Sequence, residues 1–433
     1  MLTRAIRNAK ALAAFEKVPF GTLRPFLEAL VQCNRGMVKC VTAQDGVFKR
    51  AFLAPGMCVA SFTHSTRVVG LDACHIKAYY GGVLLVMTIL YGNGQVFPRA
   101  VAIAESENPE TWTWFLSNVK TAFPVDNGHG LVVLSDREKG IDAAVTRLFP
   151  QASHSYCVYH IQKNVKVNFH TSLGGLLFTA ARAESDRVFN DVIEEIKRMH
   201  ARAGEFVSQI KKEKWARAFF PSRRFGHVTS NISESMNWWL EKARHLEPVG
   251  LFSVYIRKLN GIFERRRQRY QSMLPHELPP NVSKTLAKAI ERGRTLRLVK
   301  HTSSVYEVER QEHLPFRVVD LDARTCTRGF PQEHGIPCRH VCRVLMQEKV
   351  HPKHFVIPER RVEALKATYL GVTYPVDTSL LQNDGLKAPT QTKRRGRPKK
   401  LRIHSSAEKA PRGTVRCGRC GERGHNKRTC TKG

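Results

Sequence analysis

The stretch that decides the fold runs from Arg67 to Glu105, RVVGLDACHIKAYYGGVLLVMTILYGNGQVFPRAVAIAE. RVVGLDA, GVLLVMTIL and RAVAIAE read as three β-runs. The second follows Gly81-Gly82, and the third is preceded by the turn-like YGNGQ. Pro109, suited to a first helical turn, opens an amphipathic helix through TWTWFLSNVKTAF. LVVLSD is then a buried-type strand ending in Asp136. A helix over about 139–148 follows, then the short strand SHSYCV and a helix beginning near Tyr159. Three strands, a helix, a strand, a helix and a strand predict a mixed α/β sheet.

Working outward, residues 172–225 turn helical and charged without a strand-like run, which predicts an all-α insertion. VTSNISESMNWWLEKA begins a helix, with Ser230 or Asn231 as N-cap. Residues 246–300 continue helical and basic and include ERRRQRY, and 302–320 are strand-like. After 372 the chain becomes polar, Pro- and Lys-rich, the composition of a disordered linker carrying small elements. The expected organisation is a helical and strand lead-in (1–60), an α/β domain with its insertion (61–245) and a helical basic region (246–300). A Cys/His segment (301–350), a basic linker (372–412) and a terminal Cys/His element (413–433) follow.

The 433 residues hold 70 Lys and Arg against 37 Asp and Glu, a formal charge of +33. Such an excess points to a polyanionic partner, because each neutralised phosphate releases counterions. The plain alternative is a soluble basic protein of ribosomal or mitochondrial type. The first residues, MLTRAIRNAKALAAFEKV, lack the apolar centre of a secretory signal but are compatible with a mitochondrial presequence. The longest apolar stretch, 81–90, is too short to span a bilayer, so no membrane is expected. Eleven cysteines suggest metal ligands or buried thiols. Cys33, Cys40 and Cys58 lack ligand-like spacing and read as core.

Three carboxylates stand out. Asp72 closes one strand, Asp136 closes another, and Glu234 lies three residues into a helix. A two-metal site needs several acidic ligands to clamp the attacking and leaving oxygens of a phosphodiester. If the first and fourth strands are neighbours, the two aspartates meet. Aspartates are common at strand ends, so spacing alone says little.

The surrounding words say more. RPFLEALVQCN, FKRAFLAPG, the long block from VVGLDACHIKAYYGG to ENPETWTWFL, LSDREKGI, CVYHIQKN and SNISESMN resemble the transposases of Mutator-like elements. The resemblance implies an RNase H-like fold with an all-α insertion and a D-D-E site of Asp72, Asp136 and Glu234 binding Mg²⁺ or Mn²⁺. It implies DDE-type DNA strand cleavage and transfer on transposon ends and target DNA. A homo-oligomer and a nuclear location follow from the same resemblance. The alternative is a domesticated or defective derivative that regulates transcription without chemistry. Cys157 and His160 match the C-x2-H motif that this family carries after its second aspartate. They suit a zinc half-site or a structural role beside the acids, and the plain alternative is a buried thiol and a satisfied histidine.

RTCTRGFPQEHGIPCRHVCRVL resembles a SWIM zinc finger through Cys326, Cys338 and His340. Arg328 occupies the second cysteine's place, and an arginine cannot ligate zinc. His334 and Cys342 are alternative fourth donors; otherwise the finger is degenerate and held by apolar residues. CGRCGERGHNKRTC places Cys417, Cys420, His425 and Cys430 in the spacing of a zinc knuckle, which cannot fold without its Zn²⁺. KRRGRPKK, with Arg395, Gly396, Arg397 and Pro398, resembles an AT-hook for the A·T minor groove. It also reads as a nuclear localisation signal. Residues 391–433 carry 15 Lys and Arg against 2 acids, or +13 of the total.

Overall fold

A computed structural model describes residues 20–137, 139–229, 236, 238–309, 316–390 and 420. The chain divides into two units at Pro389–Thr390. Of the second unit only Thr390 and Cys420 are described.

The first unit is built on a mixed seven-stranded sheet. Its strands are β1 (Val38–Gln44), β2 (Val47–Ala54), β3 (Val68–His75), β4 (Val83–Leu90), β5 (Val96–Ala104), β6 (Val132–Ser135) and β7 (Ser153–Tyr156). They lie in the order β1-β2-β5-β4-β3-β6-β7. All contacts from β1 to β3 are antiparallel, whereas β3–β6 and β6–β7 are parallel. The three apolar runs of the opening stretch are therefore its centre. β4 is buried along its whole length, as a strand covered on both faces must be. Gly82 sits at φ +89° before β4, and a Cβ there would lie 2.3 Å from the Ala104 carbonyl oxygen. Only glycine allows β4 and β5 to approach this closely.

Helices cover the sheet. Pro109–Ala122 starts with Asn108 accepting the Thr111 N–H, and Lys139–Leu148 follows β6. Trp112, Phe115 and Leu116 of the first helix, with Ile141, Ala144 and Val145 of the second, join the main core. Val158–Phe169, Gly174–Ala181, Asp186–Met199 and Ala201–Ser208 form a separate helical core around Trp215, the last three of them within 172–225. Pro248–Gln271 buries Leu251, Phe252, Tyr255 and Leu259 in the main core. Pro280–Gly293 leads to a four-stranded antiparallel sheet of β8 (Arg297–Lys300), β9 (Val305–Glu309), β10 (Arg317–Asp320) and β11 (Thr325–Cys326). The helical reading of 246–300 therefore ends early, at β8.

Three features differ from the sequence reading. The lead-in strands β1 and β2 belong to the main sheet through the β2–β5 pairing, joined by a tight turn with Asp45 and Gly46 both at positive φ. Cys33 is exposed, while Cys58 is buried. Residues 372–390, polar in composition, are stitched to the domain. Buried Asn34 accepts the Tyr374 N–H at 2.6 Å and donates to the Tyr374 and Leu30 carbonyls. Asn260 pairs with Thr373, Lys387 exchanges main-chain bonds with Gly46 and Phe48, and Leu386 is buried.

Asn34→Ala leaves buried backbone groups without partners and is expected to lower stability by about 1–3 kcal/mol. Urea unfolding checks this, and limited proteolysis should show faster cleavage within 372–390.

Candidate functional site

The register of β3 against β6 builds the site. Val68 pairs with Val132, Val69 with Val133 and Gly70 with Leu134. Continuing that register sets Asp72 beside Asp136, one residue past the end of β6. Side chains two apart share a face. Val68, Val132 and Leu134 point into a cluster with Phe225, whereas Val69, Leu71 and Val133 point into the main core. Asp72 and Asp136 thus share the Phe225 face, at one level, on neighbouring strands. Both are partly exposed.

The sheet direction collects further groups here. β3, β5, β6 and β7 all end at this edge, and the helices Pro109–Ala122, Lys139–Leu148 and Val158–Phe169 begin there. Their N-terminal amide groups favour negative charge. Burial pushes the Cys74 thiol up to about 11; Arg244 opposes this, and the Asp72 carboxylate adds to it. Glu107, on the loop after β5, adds a further, smaller upward push and also accepts the Trp112 indole N–H at 3.2 Å.

Cys157 is buried at the N-cap of the helix Val158–Phe169, and its N–H donates to the Ser135 carbonyl at 2.8 Å. His160 is partly buried one turn on. Val158 N–H donates to the Val228 carbonyl at 2.9 Å. On the other side, Lys77 and Ala78 N–H groups both donate to the Arg244 carbonyl. Glu234 lies outside the described residues, on the chain connecting these two anchors.

A polar cluster that the sequence reading left aside backs the end of β6. Asp142, in the first turn of the helix Lys139–Leu148, lies 2.6 Å from Lys214 Nζ and accepts the Tyr156 hydroxyl at 2.9 Å. Buried His154 sits with Nδ1 3.1 Å from Asp142 Oδ1, although the N–H direction is off line, and Nε2 2.8 Å from Ser135 Oγ. The His154 contact holds the Asp142 carboxyl far below its usual range, and burial holds the His154 ring low. The one sequence signal was SHSY, a strand with polar residues at every position.

The second centre is apart from the acids. Cys326 on β11, Cys338 at the N-cap of the helix Arg339–Gln347 and His340 in its first turn are all buried. Their donor atoms lie within 4.8 Å of one another, with His340 Nδ1 3.7 Å from each sulfur. Tetrahedral zinc with thiolate and imidazole ligands needs an S···N separation of roughly 3.6 Å, so the three donors fit. The Arg328 N–H points at the Cys326 sulfur and the Val341 N–H at the Cys338 sulfur, a setting that suits thiolates. Cys338 is the thiol held low, first by hydrogen bonding from Cys326.

Neither alternative donor joins them among the described residues. Cys342 is buried toward the Pro337 carbonyl, and burial pushes its thiol up to about 12. His334 stacks on Phe330, with ring centres 4.1 Å apart. The Arg328 side chain turns away to Glu184 of the helical insertion, 3.3 Å from its carboxylate.

Of the knuckle ligands only Cys420 is described; Cys417, His425 and Cys430 lie outside the described residues, as do Arg395, Gly396, Arg397 and Pro398. No described helix is long and apolar enough to cross a membrane.

A comparison with curated proteins gives no match to the chain. Residues 68–164, from the start of β3 to the helix carrying Cys157 and His160, match the family model of the MULE transposase domain. The match supports a transposase-type function, and with it an association with DNA, for the part of the chain that holds both aspartates.

Proposed function

We propose that residues 61–245 form an RNase H-like DDE transposase domain, which cleaves and joins DNA with divalent cations held by Asp72, Asp136 and Glu234. The observation that carries this reading is the shared level and face of Asp72 and Asp136 on adjacent parallel strands. Counted from β3, the strands β5-β4-β3-β6-β7 run 3-2-1-4-5, with the first three antiparallel and the rest parallel. That order supports the RNase H-like reading. The chain between Val228 and Arg244, which contains Glu234, is anchored on both sides of the aspartate pair.

An all-oxygen donor set suits Mg²⁺ or Mn²⁺. When bound, such a cation lowers the pKa of a water and offsets charge at the scissile phosphate. The chain's own part is placement. The two aspartates are fixed in register, and three helix N-termini face the same edge. Exposed Tyr79, Tyr159 and Trp238 lie on segments leaving this end of the sheet and offer ring faces for unpaired bases. The excess of +33 supplies sequence-independent affinity for phosphate.

Zn²⁺ belongs, on this reading, at Cys326, Cys338 and His340 and at the knuckle of Cys417, Cys420, His425 and Cys430. Cys157 and His160 brace the end of β6 and the helix beside the acids. Arg395, Gly396, Arg397 and Pro398 bind the A·T minor groove or serve as a nuclear address, and a homo-oligomer brings two DNA ends together.

Asp72→Asn and Asp136→Asn are each expected to lower Mg²⁺-dependent nicking of element-end DNA by about 10³-fold, ~4 kcal/mol in barrier, with DNA retention unchanged. Undiminished nicking in either variant removes these residues from the site. Absence of nicking by the unaltered protein on its own element ends would leave a DNA-binding protein without chemistry.

Metal analysis tests the second centre separately. The full chain should hold about two zinc ions, and Cys338→Ala about one, since a structural site of this kind needs its thiolates. Arg328→Cys should tighten retention against a chelator by at least about tenfold. Two zinc ions persisting in Cys338→Ala would exclude the three-donor site.

A further inference from the structure

Ser135 and Asp136 are consecutive on a pleated strand end, so their side chains leave opposite faces of the sheet. Asp136 faces the acid side. Ser135, fully buried, faces the helix Lys139–Leu148. His154 is paired with Val133 on the adjacent strand and so shares the face of Ser135. The contacts then run in one line. Ser135 Oγ donates to the Asp136 carbonyl oxygen at 2.8 Å, and His154 Nε2 lies 2.8 Å from the same Oγ. Oγ carries one proton, so a neutral ring either donates Nε2–H to Oγ while Oγ donates to the Asp136 carbonyl, or carries Nδ1–H toward Asp142 and accepts from Oγ at Nε2. His154 Nδ1 is 3.1 Å from Asp142, and Asp142 also binds Tyr156 and Lys214.

A run of Ser, His, Asp invites a different reading, as a nucleophile with its base. The geometry argues against it: Ser135 has no exposed surface from which its Oγ could meet a substrate. What the cluster does instead is fix Asp136. Ser135 is held by its main chain, through the Cys157 N–H, and by its side chain, through His154. Holding one residue of a pleat fixes the direction in which its neighbour points.

A purely structural element would more cheaply be apolar here. Burying a hydroxyl and an imidazole, beside a partly exposed carboxylate, behind a four-residue strand sacrifices desolvation energy that packed Val or Leu would not.

We propose that Ser135, His154 and Asp142 are positioning residues for Asp136, and that Lys214 extends this relay to the helical insertion. The proposal rests on the reading of Asp72 and Asp136 as cation ligands. Its consequence is a dependence of cation affinity on groups that never touch the cation.

The test is Mn²⁺ binding by the full chain, read as free Mn²⁺ by electron paramagnetic resonance, beside thermal unfolding. Ser135→Ala removes one hydroxyl. It is expected to weaken Mn²⁺ binding about tenfold while the unfolding midpoint moves by only about 2–4 °C. Ser135→Thr, which restores the hydroxyl, should recover most of the affinity. His154→Gln, which keeps a side-chain donor, should bind Mn²⁺ more tightly than His154→Leu. Asp136→Ala separates the two ideas. If it abolishes Mn²⁺ binding and Ser135→Ala does not weaken it, the relay is overturned and the cation site stands. If Asp136→Ala leaves Mn²⁺ binding intact, the cation site and the relay fall together. Weakened binding in Ser135→Ala that Ser135→Thr does not recover would mark general loosening and also overturn the relay.

Discussion

The parallel pairing of β3 with β6 is the constraint on which the rest depends. Their constant register places Asp72 and Asp136 side by side, and a slip of one residue would send one of them to the opposite face. β6 is only four residues long and cannot hold that register alone. Its neighbours do so: Val132 N–H donates to Arg67, Ser153 N–H to Leu131 and Cys157 N–H to Ser135. On the other side β3 is paired from Val69 to His75 with β4, whose entry is fixed by Gly82. The buried first half of β3 and the whole of β4 are covered on both faces, so displacement in either direction exposes core.

The Cys/His element braces the same face of the sheet. Glu333, buried, accepts the N–H groups of Arg224 and Gly226, and Arg223 donates to the Gln332 carbonyl at 2.5 Å. His334 packs so closely on Gly226 that a Cβ there would lie 2.5 Å from its ring. These contacts hold Phe225 against Val68 and Leu134, beneath the acid face. Arg328 fits this picture: its N–H still serves the Cys326 sulfur, while its side chain pairs with Glu184 and its carbonyl accepts from Arg217. Arg328 thus ties the turn after β11 to the helical region through Glu184 and Arg217.

The strands and helices of 68–169 were legible because apolar runs, glycine turns and Pro109 are local signals. The adjacency of the two aspartates was legible only as a condition, since strand order is a long-range fact. Other features carried no local signal. The tie of 372–390 depends on Asn34 and Asn260, hundreds and about a hundred residues away in sequence, so its polar composition looked like linker. Asp142 sits at a helix position that commonly faces water, and only the approach of Lys214 and β7 draws it inward. Glu234, Cys417, His425, Cys430 and the basic Gly-Arg-Pro segment fall outside the described residues, and their reading rests on sequence.

The same contrast governs the charge. A large excess of arginine and lysine suggests a surface coated for polyanion, yet many of these cations are engaged within the fold. Arg99 lies buried against the rings of Tyr91, Phe97 and Phe62, and Arg224 is buried beside Ser155. Within ERRRQRY, Arg266 donates to the Tyr369 hydroxyl and Arg267 to the carbonyls of Tyr369 and Gly371. These arginines act as multi-pronged donors that tie the later chain to the long helix, a use that needs the guanidinium's fork and not its attraction for phosphate. Composition therefore overstates how much of the folded unit is available to DNA. Residues 391–433 hold +13 in 43 residues, against +20 in the preceding 390, so the excess of positive charge is densest at that end of the sequence.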